Sequence, residues 1–110
     1  MLDMRLYLAQ RITAMIMAPL VLAHLGVMVY AVQGGLSAAE ILARTQGSFL
    51  WGCVYGLFVI TVSIHASIGL RVIAYEWLGI SGSKLDWFTY LVALLLLAMG
   101  VRAVYAVVLS

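Results

Sequence analysis

Two histidines, His24 and His65, each stand alone in a long uncharged stretch of the chain. Each has a polar companion eleven residues away, Thr13 for His24 and Glu76 for His65. At ~100° per residue, an eleven-residue step returns to within about 20° of the same helical face. Gln10 and Met17 lie close to the first of these stripes, and Thr61 and Gly69 fall on the second. Gly69, one turn from His65, would let a flat bulky group approach the backbone. Two kinds of chemistry fit such imidazoles. They can hydrogen-bond neighbouring helices as structural glue, or they can bind a metal. The single Cys53 excludes an internal disulfide and a cysteine-based metal cage, and its natural role is small apolar filler. No acidic cluster accompanies either histidine. Axial ligation of haem iron therefore suits them better than a zinc site. One chain supplies one ligand per haem in this arrangement, which implies a partner helix.

The elements that position these residues follow from composition. Of the 110 residues, 66% are hydrophobic and 9% charged, far below the roughly 25% charged of a soluble domain. No charge falls between Arg11 and Glu40, between Arg44 and Arg71, or between Asp86 and Arg102. A helix needs roughly 20 apolar residues to cross the ~30 Å hydrocarbon core. The first two gaps exceed that length, and the third reaches it if Arg102 snorkels to the far interface. The runs lack the alternation of barrel strands, so helices must do the spanning. The fold expected is all-α, an integral membrane protein of a single domain over 1–110. Its transmembrane helices are placed at about 8–30, 49–77 and 87–109, within roughly 2–4 residues. The first 31 residues could pass for a signal peptide with Arg5 and Arg11 as its basic end, but they are read as a retained first span.

Between the first two spans, Gln33-Gly34-Gly35 breaks the helix and Ser37-Ala-Ala-Glu40 reads as a capping box. A short interfacial helix is expected there, over about 37–44. The turn before the third span, Gly79 to Lys84, is rich in breakers, with Ser83 or Asp86 as the helix N-cap. Pro19 removes one helical bond and is expected to kink the first span. Basic residues favour one orientation: Arg5, Arg11, Arg71 and Lys84 flank one side, against Arg44 and Arg102 on the other. That places the N-terminus in the cytoplasm. A net charge of +2 is too small to argue for nucleic acid.

Two stretches carry a resemblance. Ala9-Gln-Arg-Ile-Thr-Ala14 with Ala18-Pro-Leu20, and His65-Ala-Ser-Ile-Gly69-Leu-Arg71 closing on Glu76, resemble the hydrophobic membrane-anchor (cytochrome b) subunits of succinate dehydrogenase and fumarate reductase, respiratory complex II. The resemblance implies a three-span anchor in a bacterial inner membrane or equivalent energy-transducing membrane. It implies a haem-binding bundle completed by a second membrane-anchor subunit, with a flavoprotein and an iron–sulfur subunit docked on the cytoplasmic face. Such a chain belongs to an enzyme but catalyses nothing alone. Electrons from succinate would pass through iron–sulfur clusters to a quinone, and a b-type haem would tune or extend that path.

Residue by residue, the resemblance assigns His65 as a haem ligand and Arg11 and Glu76 to the quinone site. Where such anchors commonly have Asp-Tyr, this chain has Glu76-Trp77, so the phenol that would bond a quinone carbonyl comes from Tyr75 or from the partner. Thr13, Ser63 and Ser67 are further candidates for quinone contact, although membrane hydroxyls mostly bond back to their own helix. The run from Ala18 to Leu25 resembles two-haem members, in which a histidine at the place of His24 holds a second, outer haem. Depth agrees, with His65 about 16 Å above Glu76 and His24 about 20 Å above Arg11. Arg102, about 22 Å up the third helix, either snorkels or meets a propionate of that haem. The rival functions are a cytochrome b anchor of another quinone-linked dehydrogenase, or a small non-redox scaffold or transporter subunit.

Overall fold

The computed structural model of the protein describes residues 3–109. Among these there are helices and no strands: α1 (Met4–Gly34), α2 (Ala38–Thr45), α3 (Phe49–Leu78) and α4 (Gly82–Val104), the last continuing as a π-helical turn, Tyr105–Leu109. Three of them, α1, α3 and α4 with its π turn, are long and apolar enough to cross a membrane. The molecule is all-α and a helical membrane protein. At 1.5 Å per residue α1 is about 46 Å long, more than the ~30 Å of hydrocarbon, so it extends into the headgroup region at its ends. This is why α1 runs past the expected 8–30 at both ends: nothing breaks it before Gly35, and Asp3 caps its start by accepting from the Leu6 N–H at 2.9 Å. The helix passes Pro19 without interruption.

The connections are capped as short membrane loops require. Ser37 and Glu40 form the reciprocal capping box of α2, each accepting a backbone N–H of the other at 3.2 Å. Ser48 caps α3. At its other end, Gly79 takes the left-handed conformation (φ 69°) and the Ile80 N–H reaches back to the Ala74 carbonyl, which terminates α3. The start of α4 differs from expectation. It begins at Gly82 with Ser81 as its N-cap residue and no side-chain cap bond, so neither Ser83 nor Asp86 performs that role. Asp86 is instead taken by an ion pair described below. At the far end, Thr45 Oγ1 donates to the Val107 carbonyl (2.6 Å) and the Gly47 N–H to that of Val108 (2.7 Å). The α2–α3 turn thereby satisfies carbonyls that the end of a helix leaves orphaned.

Both α1 and α4 pack on α3. The buried residues of α3 are mostly small and hydroxylated, among them Thr61, Ser63, Ser67 and Ala74. Lipid offers no hydrophobic force to drive helices together, so close approach of small residues does that work. A Cβ added to Gly100 of α4 would collide with Val59, which shows how closely α3 and α4 approach. Ser63, Ser67 and Ala74 lie about 160–200° around α3 from His65. Ser63 and Ser67 bond back to the carbonyls of Val59 (2.7 Å) and Ile64 (2.9 Å), and both are buried. They pack on the face of α3 away from His65.

Candidate functional site

The N-terminal end of α1, packed antiparallel on α3, builds a polar knot around His65. Thr13 Oγ1 lies 3.3 Å from His65 Nδ1 and also 2.7 Å from the Ala9 carbonyl and 3.1 Å from that of Gln10. Thr13 is the one buried residue of α1. One turn earlier, the Gln10 amide lies against Gly69, its Nε2 3.6 Å from where a Cβ on Gly69 would stand. The open face expected at Gly69 is thus occupied by Gln10. Its Oε1 is buried and makes no hydrogen bond. Interhelical hydrogen bonds in bilayers average about 0.6 kcal/mol. The Thr13–His65 contact is therefore too weak to dock α1 by itself, and its consequence is to fix the imidazole's orientation.

The other candidate residues of this half are set apart from this knot. Thr13 faces His65, so Arg11 lies about 3 Å toward the N-terminus and Glu76 about 16 Å in the same direction. Arg11 is also turned about 160° around α1 from Thr13 and points away from α3. Arg11, Tyr75 and Glu76 are all exposed. The structure brings Thr13 to His65, and does not bring Arg11, Tyr75 and Glu76 into contact with either. Arg71, counted in the sequence only as a flanking charge, is 14% exposed and pairs with Asp86 at 2.9 Å, with a further bond to Thr89 at 3.1 Å. Opposite charges on either side of a short breaker-rich turn were the available signal for that pair.

The opposite half of the bundle differs in kind. His24 packs against the rings of Phe58 (centroids 5.4 Å apart) and Tyr55 (6.2 Å, edge-on), and Tyr55 stacks on Trp51. His24 Nδ1 is buried without a hydrogen-bond partner. It borders a cavity of about 260 Å³ walled by Thr45, Tyr55, Phe58 and Val104. Arg44 lies over the Tyr30 ring and donates to the Gly35 carbonyl, closing the α1–α2 corner. Arg102 is exposed and borders a separate groove with Leu94, Val101 and Tyr105, away from the His24 cavity.

Whether these residues suit a haem can be tested on their own geometry. Among the described residues no three or more of His, Cys, Asp and Glu gather into a metal-binding group, so each imidazole stands singly. A metal-bound histidine almost always has its second ring nitrogen hydrogen-bonded. His65 meets that condition through Thr13, and His24 Nδ1 does not. The surroundings of His65 therefore fit an axial ligand.

An all-helical, three-span membrane protein with a single imidazole on each of two spans is a class with many members. Residues 1–104 match the family described as the succinate dehydrogenase/fumarate reductase transmembrane subunit, and the chain belongs to that family. No curated protein and no solved structure gives a match.

Proposed function

We propose that this chain is a membrane anchor of a succinate:quinone oxidoreductase or fumarate reductase, and that it supplies His65 as an axial ligand to one b-type haem. The observation that carries the reading is His65 itself: half-buried, in the middle of α3, with Nδ1 held by Thr13 and Nε2 as the remaining coordinating nitrogen. The haem would supply one-electron transfer between an iron–sulfur partner and the quinone. A second anchor subunit completes the ligation and covers the exposed side of the bundle.

The end of the bundle that holds Arg5, Tyr75, Glu76 and Lys84 faces the cytoplasm and receives the iron–sulfur and flavoprotein subunits. There Glu76 and Tyr75 border the quinone site together with partner residues, while Arg11, about 13 Å deeper along the bundle and on the face of α1 turned from α3, would meet the quinone from the partner side. Arg11 offers a guanidinium to a carbonyl or anionic oxygen, Tyr75 a phenol, and Glu76 a carboxyl that can exchange a proton with solvent. Because this chain leaves these side chains separate and exposed, the partner surface must close the site. The outer haem that His24 could hold is left out of the proposal, since nothing in the chain bonds its Nδ1.

Purifying the complex through a tag on this chain tests the reading. A flavoprotein, an iron–sulfur subunit and a second small membrane subunit should accompany it, with a b-type reduced-minus-oxidised spectrum. Their absence from an intact preparation would mark the chain as a plain scaffold.

A further inference from the structure

The Thr13 hydroxyl has one proton and three oxygen or nitrogen neighbours. The closest is the Ala9 carbonyl at 2.7 Å, an ordinary O–H···O length, while His65 Nδ1 is the farthest at 3.3 Å. Hydroxyls on membrane helices return their proton to the carbonyl one turn back, and Thr61, Ser63 and Thr89 in this chain do the same. With its proton on the backbone, Thr13 Oγ1 has only lone pairs left for His65. Nδ1 must then be the donor, carrying the hydrogen. In a neutral imidazole that leaves Nε2 as a bare lone pair. The alternative tautomer, with the hydrogen on Nε2, would set two lone pairs against each other at 3.3 Å unless the hydroxyl abandoned Ala9.

From this we infer that Thr13 is a positioning residue that fixes His65 as the Nδ1–H tautomer, ring plane set and Nε2 bare, ready to coordinate a metal before any metal arrives. The inference rests on the reading of His65 as a haem ligand and changes the part assigned to Thr13. It is not a quinone contact: it is 6% exposed, and its oxygen is spent between its own helix and the imidazole. The position on α1 also matters. The hydrogen bond crosses from α1 to α3, so any shift of α1 along α3 alters the electron density that Nδ1 passes to Nε2. Gln10, one turn along, lies against Gly69 beside that bond.

Thr13→Val keeps the shape and removes the acceptor, whereas Thr13→Ser keeps the acceptor. In the purified complex, Thr13→Val should move the haem midpoint potential to more positive values and change the low-spin electron paramagnetic resonance signal, because an imidazole that loses its Nδ1–H acceptor donates less to iron. Thr13→Ser should restore both toward wild type. Thr13→Ala, which removes the acceptor together with the γ-methyl, should shift both in the same direction as Thr13→Val. Potential and resonance unmoved in Thr13→Val would overturn the inference, and so would loss of the subunit from the membrane in both Thr13→Val and Thr13→Ala, since that marks Thr13 as packing. The underlying reading fails separately: in that case the wild-type complex has no haem, or His65→Ala retains it.

Discussion

His24 and His65 look equivalent in the sequence, each alone in an apolar span with a polar residue eleven positions away. The structure gives them opposite surroundings. His65 sits among polar groups, with Thr13 on Nδ1 and the Gln10 amide one turn along. His24 sits among the rings of Tyr55 and Phe58 with its Nδ1 unbonded. The shared helical stripe that ties Thr13 to His24 in the sequence is real, yet Thr13 serves the histidine of the other helix. A stripe shows which residues face the same way, and only the register between helices decides which of them meet. The two regions also differ in how charge is handled. Inner Arg71 is neutralised by Asp86 across the α3–α4 turn, whereas outer Arg44 spends its donors on a carbonyl and an aromatic face.

If the inner region is the working one, damage there should be specific and large. Arg11→Ala or Glu76→Gln should lower succinate–quinone activity about tenfold or more, roughly 1.4 kcal/mol of transition-state stabilisation. Succinate oxidation with an artificial dye should stay near wild type. Arg44→Gln, at the outer corner, should leave the ratio of the two activities unchanged. Equal losses in both assays for the inner variants would reduce them to assembly defects and erase the distinction between the regions.

The smallest effect should come from His24. His24→Phe replaces an imidazole with an unpaired buried nitrogen, a group that costs about 1–3 kcal/mol where no water reaches it, by a ring suited to Tyr55 and Phe58. The thermal midpoint of the complex should be unchanged or raised, with haem content intact. A clear loss of stability or of haem would show that His24 has a partner outside this chain, and would bring the outer region back into the site.

Much of the architecture was legible because bilayer physics is severe. Three charge-free gaps gave three spans, and Ser37 and Glu40 gave the short helix α2 with its cap. What lay hidden depended on contacts between helices. Asp86 reads as an N-cap until Arg71, a helix away, is seen to claim it. Gly69 reads as an open slot until Gln10 is seen lying on it. The rotation of Arg11 away from α3 was available from the helical period, but grouping residues by membrane side alone concealed it. The π turn at the end of α4 had no signal in its own residues, since its carbonyls are satisfied by Thr45 and Gly47 from another loop.

The haem-to-flavin ratio of the purified complex tests the central claim most directly, measured for wild type, His65→Ala and His24→Ala. One haem per flavin is expected in the wild type, because only His65 has its second nitrogen held within the chain. His65→Ala should carry none while still assembled with its partners, and His24→Ala should still carry one. Two haems per flavin in the wild type, or a ratio that His65→Ala leaves unchanged, would contradict the account.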